Sequence, residues 1–297
     1  MRKVVFSRGG SMWVRALLYV LAFAAATPSF AQRPARPSAT PQAQTILALN
    51  EGGSGNLDAT EIFLRYEEFS KILEKALGTR LTLVAVRDIE VLQHSLETGA
   101  YALVLSRPAD VLAQAVRDYG YRPVVMSTEP AHALFIVNKD SPLKTIADVR
   151  GKRIVTPDRY AYMWRIANAM LRDNKIVMAK EQVRAMRDQA AIGWSMENNF
   201  FDVGVVASFS PTGRTWEKKG GRVIAISPDV PNTPMIASPK ISAAQIEKIR
   251  EALTELGSTE QGKAILKKIN VTGFKEASPQ AFIDLLNWLG PLEITKE

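Results

Sequence analysis

The sequence predicts an α/β protein with two mostly parallel sheets joined by two crossing segments. Apolar strands alternate with amphipathic helices along most of the 297 residues. An aperiodic stretch, 127–131, separates two strands, and Gly220–Gly221 later leads into a strand at 223–226. These interruptions indicate that the chain leaves a first lobe, builds a second lobe and then returns to the first.

The first lobe begins with a short apolar strand, 45–49, and a glycine-containing loop, 50–56. Glycines allow the backbone to approach a ligand closely, although an ordinary flexible turn fits this stretch equally well. The loop is no nucleotide P-loop, since no Gly-Lys-Ser/Thr follows it. Further strands are predicted at 81–86, 101–105 and 122–126, and helices at 60–77, 88–97 and 109–119.

The second lobe is organised around residues 139–157, KDSPLKTIADVRGKRIVTP, which join apolar strands at 133–137 and 153–155. Between these strands, Ser141–Pro142 opens a short helical turn and Gly151 ends it. The remaining elements of this lobe are strands 183–187, 202–207 and 223–226 and helices 189–199 and 211–218.

The strand at 153–155 runs into Thr156, Pro157 and Asp158. We expect Thr156 to be the N-cap and Pro157 the first-turn residue of the next helix, whose body covers 159–173. The end of a strand beside a helix N-terminus presents unpaired N–H groups, and such ends bind anions and polar ligands in open α/β sheets.

Residues from about 227 return to the first lobe. Ser242 and Gln245 form a capping box for a helix over 242–256, Ser258 with Gln261 caps the next helix, and Ser278–Pro279 begins the last. The predicted organisation is a signal peptide at 1–31, a disordered linker at 32–44, a first lobe at 45–128 and 227–297, and a second lobe with its hinge crossings at 129–226.

The amino end has the pattern of a secretory signal peptide. A basic segment precedes the apolar run 16–26, which is short for a membrane span, and Ser29-Phe30-Ala31 predicts cleavage before Gln32. Translation from Met12 would also give a complete signal, and an uncleaved anchor is the alternative. Residues 32–44, rich in Pro, Ala and Gln, read as a linker.

The composition of the chain limits the functions that the protein could have. Residues 1–31 carry four positive and no negative charges, so their removal lowers the net charge from +8 to +4 and weakens the case for nucleic-acid binding. Hydrophobic residues make up 46% of a chain without cysteine, which indicates a core large enough to need no disulfides. We expect a soluble, periplasmic monomer.

Catalytic patterns are missing from the sequence. His94 and His132 lie far apart, and no metalloprotease, nucleophile-elbow or paired-carboxylate motif is present. We therefore expect no catalytic residues, no metal ligands and no cofactor.

Two kinds of motif carry a family resemblance. The pattern S-x-L-K-T-I-A-D-V-R-G-K-R-I, from Ser141, resembles the start of the second lobe in type II periplasmic solute-binding proteins of ABC transporters. Segments 69–77 with 81–86, 99–115 and 201–206 resemble the phosphonate-binding-protein-like branch of that class. The likeness covers roughly residues 45–275.

The resemblance implies a two-lobed type II periplasmic binding protein that closes around a small ligand and delivers it to an ABC permease. The chain departs from the branch pattern where Arg107 replaces the Gly of Gly-Pro, where Arg187 replaces a His, and where Asp158-Arg159-Tyr160 replaces a Ser/Thr-rich run. We therefore expect this chain to share the family's fold and transport role but not to bind phosphonate. A bulkier ligand with an acidic group and an apolar or aromatic part fits better.

The candidate ligand residues are those in loops at the carboxyl ends of strands. They are Gly53, Ser54, Asn56, Ser106, Arg107, Thr156, Arg159, Tyr160, Tyr162, Arg187, Asp188, Gln189 and Ser208. Three arginines among them favour an anionic ligand, although a surface charge or salt bridge explains each arginine equally well.

Three other functions share this architecture. A periplasmic sensor would report the ligand to a receptor or histidine kinase in the membrane, and an enzyme of the same two-lobed fold would turn it over. A protein that has lost its ligand would serve as a structural partner, and no ligand would close its lobes.

Overall fold

The computed structural model describes residues 45–52, 58–158 and 161–290. The predicted signal peptide and linker lie outside these residues, and the domain boundaries stay a prediction. Among the described residues, no helix combines the length and apolar character that crossing a membrane requires.

The first sheet contains strands from both ends of the described chain. Its strands are β1 Thr45–Asn50, β2 Leu81–Ala85, β3 Leu103–Ser106, β4 Arg122–Ser127, β10 Met235–Ala237 and β11 Phe274–Glu276, in the spatial order β11-β4-β10-β3-β1-β2. β1 pairs in parallel with β2 and β3, whereas β10 lies antiparallel between β3 and β4, and β11 is antiparallel to β4.

The second sheet uses a continuous part of the chain. Its strands are β5 Ala133–Val137, β6 Ile154–Pro157, β7 Val183–Met186, β8 Val203–Ala207 and β9 Arg222–Ile226, in the order β7-β6-β8-β5-β9. β6 is parallel to β7 and β8, and β5 is antiparallel to β8 and β9.

The predicted α/β fold class with two joined sheets is confirmed, and the strand pairing refines it. Both sheets are mixed, because antiparallel strands enter where the chain changes sheet (β5) or returns to the first sheet (β10 and β11). The other strands of each sheet run in one direction, so their carboxyl ends share one edge.

Helices cover the faces of both sheets. They are α1 Ala59–Leu77, α2 Ile89–Glu97, α3 Ala109–Asp118, α4 Tyr162–Asp173, α5 Gln189–Glu197, α6 Pro211–Thr215, α7 Ala243–Thr254, α8 Glu260–Lys268 and α9 Pro279–Leu289. α1 shows why they pack: Ile62, Phe69 and Leu73 recur on one face and are buried against the first sheet. The predicted capping box of Ser242 and Gln245 and the start at Pro279 are both confirmed.

Two predicted helix starts are wrong. Thr156 and Pro157 belong to β6, where they pair with Ala185 and Met186, so strand pairing overrides the N-cap pattern and α4 begins only at Tyr162. The N-cap of α8 is Thr259 rather than Ser258, because the Thr259 hydroxyl accepts a hydrogen bond from the Gly262 N–H in the first turn of the helix.

Two crossing segments join the sheets and contact each other. Ala131, between β4 and β5, forms a bridge with Val230, between β9 and β10. The Asn232 amide adds a hydrogen bond of 3.1 Å to the Glu129 carbonyl. Thr233 has φ 45°, a left-handed conformation that is strained for a β-branched residue. The second crossing is therefore held in a defined conformation.

Candidate ligand-binding site

Loops at the carboxyl ends of strands from the two sheets lie close together, and the space between them is the candidate cleft. The Arg107 guanidinium, after β3, lies 5.8 Å from the centre of the Phe209 ring, which follows β8. The Tyr162 hydroxyl, in the first residue of α4, donates a hydrogen bond of 3.1 Å to the Pro231 carbonyl in the second crossing. These contacts bring together loops that the sequence places at strand ends of different sheets.

Arg107 is part of a buried cluster on the wall of the first sheet. Its Nε lies 2.6 Å from a Glu51 carboxylate oxygen, and its Nη2 donates a 3.0 Å hydrogen bond to the Ile269 carbonyl. The Tyr66 hydroxyl donates to the same Glu51 carboxylate, and Arg65 lies 3.9 Å from it. Glu51 is therefore fixed against the start of the loop that follows β1.

The charges in this cluster stabilise one another. Burial opposes the charge of Arg107, but the neighbouring Glu51 carboxylate outweighs that effect, so the pKa of Arg107 is raised. Burial, followed by the charge of Glu51, raises the pKa of Tyr66 well above its usual value. Tyr66 therefore stays protonated and donates its hydrogen bond over the physiological range.

A second buried ion pair connects the two sides of the cleft. Arg165 on α4 lies 2.6 Å from Asp110 in the first turn of α3. The same guanidinium donates a 2.9 Å hydrogen bond to the Gly290 carbonyl at the end of α9. Burial, followed by the charge of Asp110, raises the pKa of Tyr162 well above its usual value. The junction of α3, α4 and α9 is thus internally neutral.

The end of α9 makes further hydrogen bonds to α4. Arg172 donates to the Trp288 carbonyl at 2.6 Å, and the Trp288 indole N–H donates to the Asp173 carboxylate at 2.7 Å. α9 also packs along α3, so it contacts helices that follow strands of different sheets.

Some buried polar atoms at the carboxyl ends of the strands have no hydrogen-bond partner among the described residues. They are Asn50 Nδ2 at the end of β1, Thr156 Oγ1 near the end of β6, and Asp110 Oδ1. Asn50 is 4% exposed and Thr156 is 1% exposed. A buried polar group without a partner is costly, so such atoms at a cleft indicate a place for a ligand.

The orientation of the Asn50 amide is fixed by its neighbour. Its oxygen accepts a 2.7 Å hydrogen bond from the Gly52 backbone N–H, so the unpartnered atom is the nitrogen. An amide nitrogen donates and does not accept. Its missing partner must therefore be an acceptor, such as an oxygen.

The other predicted site residues have different surroundings. Ser106 donates to the Pro108 carbonyl at 2.9 Å, Asp188 accepts from the Ala190 N–H as the N-cap of α5, and Arg187 is exposed. Gly53, Ser54, Asn56, Arg159 and Tyr160 lie outside the described residues. The ligand-binding role of all these residues stays a prediction.

Gln189 and Ser208 support the backbone beside the hinge. Gln189 Oε1 accepts a 2.7 Å hydrogen bond from the Ala207 N–H, and Ser208 Oγ accepts from the His132 N–H at 3.1 Å. His132 Nδ1 lies 2.9 Å from the Ser227 carbonyl, which only accepts, so Nδ1 carries the hydrogen.

Sequence reasoning did not select the residues that decide the character of the cleft. Asn50, Glu51, Asp110 and Arg165 were not among the candidates. The available signal for Asn50 was a polar residue at the last position of an apolar strand. No local signal indicated the two ion pairs, whose members lie 56 and 55 residues apart in the chain.

The described residues contain no group of three or more His, Asp or Glu side chains arranged to hold a metal ion. A cavity of about 650 Å³ lies at the opposite end of the second sheet, where Lys152 and Asp202 precede strands β6 and β8. It is therefore separate from the cleft.

Comparison with protein families identifies the chain's relatives. Residues 56–282 match the family model described as "ABC transporter, phosphonate, periplasmic substrate-binding protein". The chain belongs to this family. Its members are binding components of transporters rather than an enzyme class, and they work in the periplasm with small-molecule ligands and a permease. No curated protein matches the chain significantly.

Solved structures show the same type II periplasmic binding protein fold as this phosphonate-family chain. XAC2383 from Xanthomonas citri, bound to ATP, is 14% identical, with TM-score 0.66 over 83% of this chain and 97% of that one. PhnD1 from Prochlorococcus marinus, in complex with methylphosphonate, is 15% identical, with TM-score 0.62 over 82% and 97%. A phosphonate-transporter binding protein from Pseudomonas aeruginosa, PA3383, is 15% identical, with TM-score 0.61 over 82% and 84%.

Proposed function

We propose that this protein, exported through a cleaved signal peptide, captures a small anionic ligand between its two lobes and delivers it to an ABC permease. Membership of the phosphonate-type substrate-binding family supports ligand capture. Anionic character and delivery to a permease are the further steps of the proposal.

The observation that carries the proposal is the pair of unpartnered atoms, Asn50 Nδ2 and Thr156 Oγ1, at the carboxyl ends of strands from different sheets. The amide nitrogen needs an acceptor, and the hydroxyl is able to donate to one. A ligand with acceptor oxygens that reaches both sheets would satisfy both atoms. Carboxylates and other oxyanions have that character.

Closure follows from binding without any covalent chemistry. A ligand that contacts both lobes binds the closed form more tightly than the open form, so it shifts the population towards closure. The segments 128–132 and 227–234 act as the hinge, and the loops that contain Gly53, Ser54 and Asn56 on one side and Arg159 and Tyr160 on the other line the ligand.

The first test is native mass spectrometry of protein purified gently from the periplasm. We expect the wild-type protein to retain a specific additional mass, which the Asn50→Asp variant loses because a carboxylate replaces the donor and repels an anion. Asn50→Asp preserves the oxygen that accepts from Gly52. Asn198→Asp is the matched control, since Asn198 is exposed and its amide bonds only the local Trp194 carbonyl.

Two outcomes would refute parts of the proposal. A wild-type protein that retains no ligand, and whose melting temperature responds to no small anion, would refute anion capture. A ligand at a hundredfold excess over its Kd should raise the free energy of unfolding by about 2.7 kcal/mol. Ligand uptake that persists after deletion of the protein would refute delivery and would favour a sensor.

A further inference from the structure

A small cavity of about 290 Å³ has walls that come from both sheets. Its polar lining residues are Arg214, Lys263, Lys267, Asn270 and Thr272. Arg214 belongs to α6, which follows β8 of the second sheet, whereas the other four lie on α8 or between α8 and β11 of the first sheet. None of the described residues that line this cavity is acidic. The cavity is therefore basic and lies where the two lobes meet.

Arg107 connects this basic cavity with the ligand cleft. Its Nη2 donates a 3.0 Å hydrogen bond to the Ile269 carbonyl, at the start of the first-sheet wall. Its guanidinium lies 5.8 Å from the centre of the Phe209 ring, which directly precedes the second-sheet wall. The Thr128 N–H, in the first crossing, donates a 2.9 Å hydrogen bond to the Gly273 carbonyl, at the other end of the first-sheet wall. The basic cavity therefore adjoins both the cleft and the hinge.

Two of the cations in the basic cavity are not neutralised by the protein. Lys263 is paired with Glu260 at 2.7 Å. Arg214 and Lys267 form no ion pair with a described residue, and both are exposed. Like charges on opposite walls repel each other as the walls approach, and an anion between them replaces this repulsion with attraction. An anion in the basic cavity therefore favours closure of the lobes.

The carbonyl groups at the carboxyl end of α8, which would repel an anion, already accept hydrogen bonds. The Lys267 carbonyl accepts one of 3.1 Å from the Asn270 N–H. The Leu266 carbonyl accepts one of 3.0 Å from the Val271 N–H. Asn270 makes this turn with φ 54°, a left-handed conformation that asparagine adopts more readily than most residues. The first-sheet wall is therefore arranged before an anion arrives.

We propose that the basic cavity binds an acidic group of the ligand, separate from the acceptor group that Asn50 and Thr156 bind. Guanidinium and ammonium groups are common partners of carboxylates and phosphoryl groups in proteins. The ligand is therefore a small molecule with two acidic groups, for example a dicarboxylic acid or a phosphonate that carries a carboxylate. The inference rests on the proposed function, since it names the substrate class of the same cleft and extends the site to Arg214 and Lys267.

The test uses isothermal titration calorimetry with two pairs of probes in which a carboxylate replaces a terminal methyl group. The pairs are pentanoate with glutarate, and propylphosphonate with 3-phosphonopropionate. We expect the wild-type protein to bind the diacid of a pair about tenfold more tightly than the monoacid, because an exposed charge pair contributes up to about a factor of five. Arg214→Gln and Lys267→Gln should each reduce this advantage about threefold and change the monoacid affinity by less than about twofold.

Arg184→Gln on β7 and Lys248→Gln on α7 are the matched controls. Both side chains are exposed, neither lines the basic cavity, and neither forms an ion pair with a described residue, so these variants should keep the full advantage of the diacids. Circular dichroism verifies that each variant is folded.

Diacids that bind the wild-type protein no more tightly than the monoacids would overturn the inference while leaving anion capture intact. An advantage that persists in the folded Arg214 and Lys267 variants, or that falls equally in the controls, would overturn it too. So would a wild-type protein that binds none of the four probes at millimolar concentration. The ligand carried from the periplasm tests the proposed function separately.

Discussion

Replacing Thr156 with valine should raise the stability of the free protein and lower its affinity for ligand. The Thr156 side chain is buried in β6, and its hydroxyl has no partner among the described residues. Valine keeps the branched shape that suits a strand and removes only the hydroxyl. The substitution thus removes a buried polar group without breaking a hydrogen bond.

The expected sizes follow from the cost of such groups. A buried, unsatisfied hydroxyl costs about 1–3 kcal/mol, so the free Thr156→Val protein should be more stable by that amount. In a protein of this size, each kcal/mol raises the melting temperature by about 2–4 °C. Loss of a hydrogen bond to the ligand should weaken binding by about 0.5–1.5 kcal/mol.

The assay is thermal unfolding of the ligand-free protein together with calorimetric titration of the ligand. Thr212→Val is the matched control, because the Thr212 hydroxyl donates a 3.0 Å hydrogen bond to the Gln189 carbonyl and its loss should destabilise the protein by about 1 kcal/mol. A Thr156→Val protein that melts earlier, as the control does, or that binds ligand unchanged would refute the reasoning about the unpartnered hydroxyl.

Three further predictions concern charged residues. Arg165→Met should lower the free energy of unfolding in urea by about 3–5 kcal/mol, because it leaves the Asp110 carboxylate buried without its partner, and Asp110→Leu added to it should restore most of the loss; no recovery in the double variant would contradict this. The hydrogen bond from the Trp288 indole lowers the pKa of Asp173; burial opposes this shift, and the hydrogen bond from Arg172 adds to it. The ionised Asp173 therefore contributes stability above the usual Asp pKa, and this contribution is lost as the pH falls through the lowered pKa. Asp173→Asn should flatten the acid side of a curve of unfolding free energy against pH. An unchanged curve would contradict this prediction. Arg187→Ala should weaken ligand binding by about 1–3 kcal/mol in a titration while leaving the melting temperature unchanged, since Arg187 is exposed and makes no ion pair with the described residues; unchanged affinity would remove Arg187 from the site.

Local sequence patterns predicted most of the fold because they act over a few residues. Ser242 with Gln245, and Ser278 with Pro279, begin helices as their spacing indicates. The pattern at Thr156 failed because pairing with β7, a non-local interaction, extends the strand beyond the expected N-cap. Residues that can end a strand are visible in the sequence. Tertiary contacts decide whether such residues continue the strand or begin a helix.

The site was less predictable for the same reason. The polar residues at strand ends, such as Ser106 and Thr156, are visible in the sequence, and both lie in the last two residues of their strands. The neutralisation of Arg107 by Glu51 depends on two strands lying side by side and on the side-chain conformations that follow. An arginine at a strand end therefore indicates a charged environment, but only its neighbours reveal whether that charge is free for a ligand.

The position of β10 has a consequence for synthesis of the chain. β3 and β4 do not bond each other, because β10, residues 235–237, lies between them. All strands of the second sheet are made by residue 226, before β10 exists. The second sheet therefore has all its strands before β10 is reached, whereas β3 and β4 lack a shared neighbour until β10 is present, and such open edges are prone to aggregate.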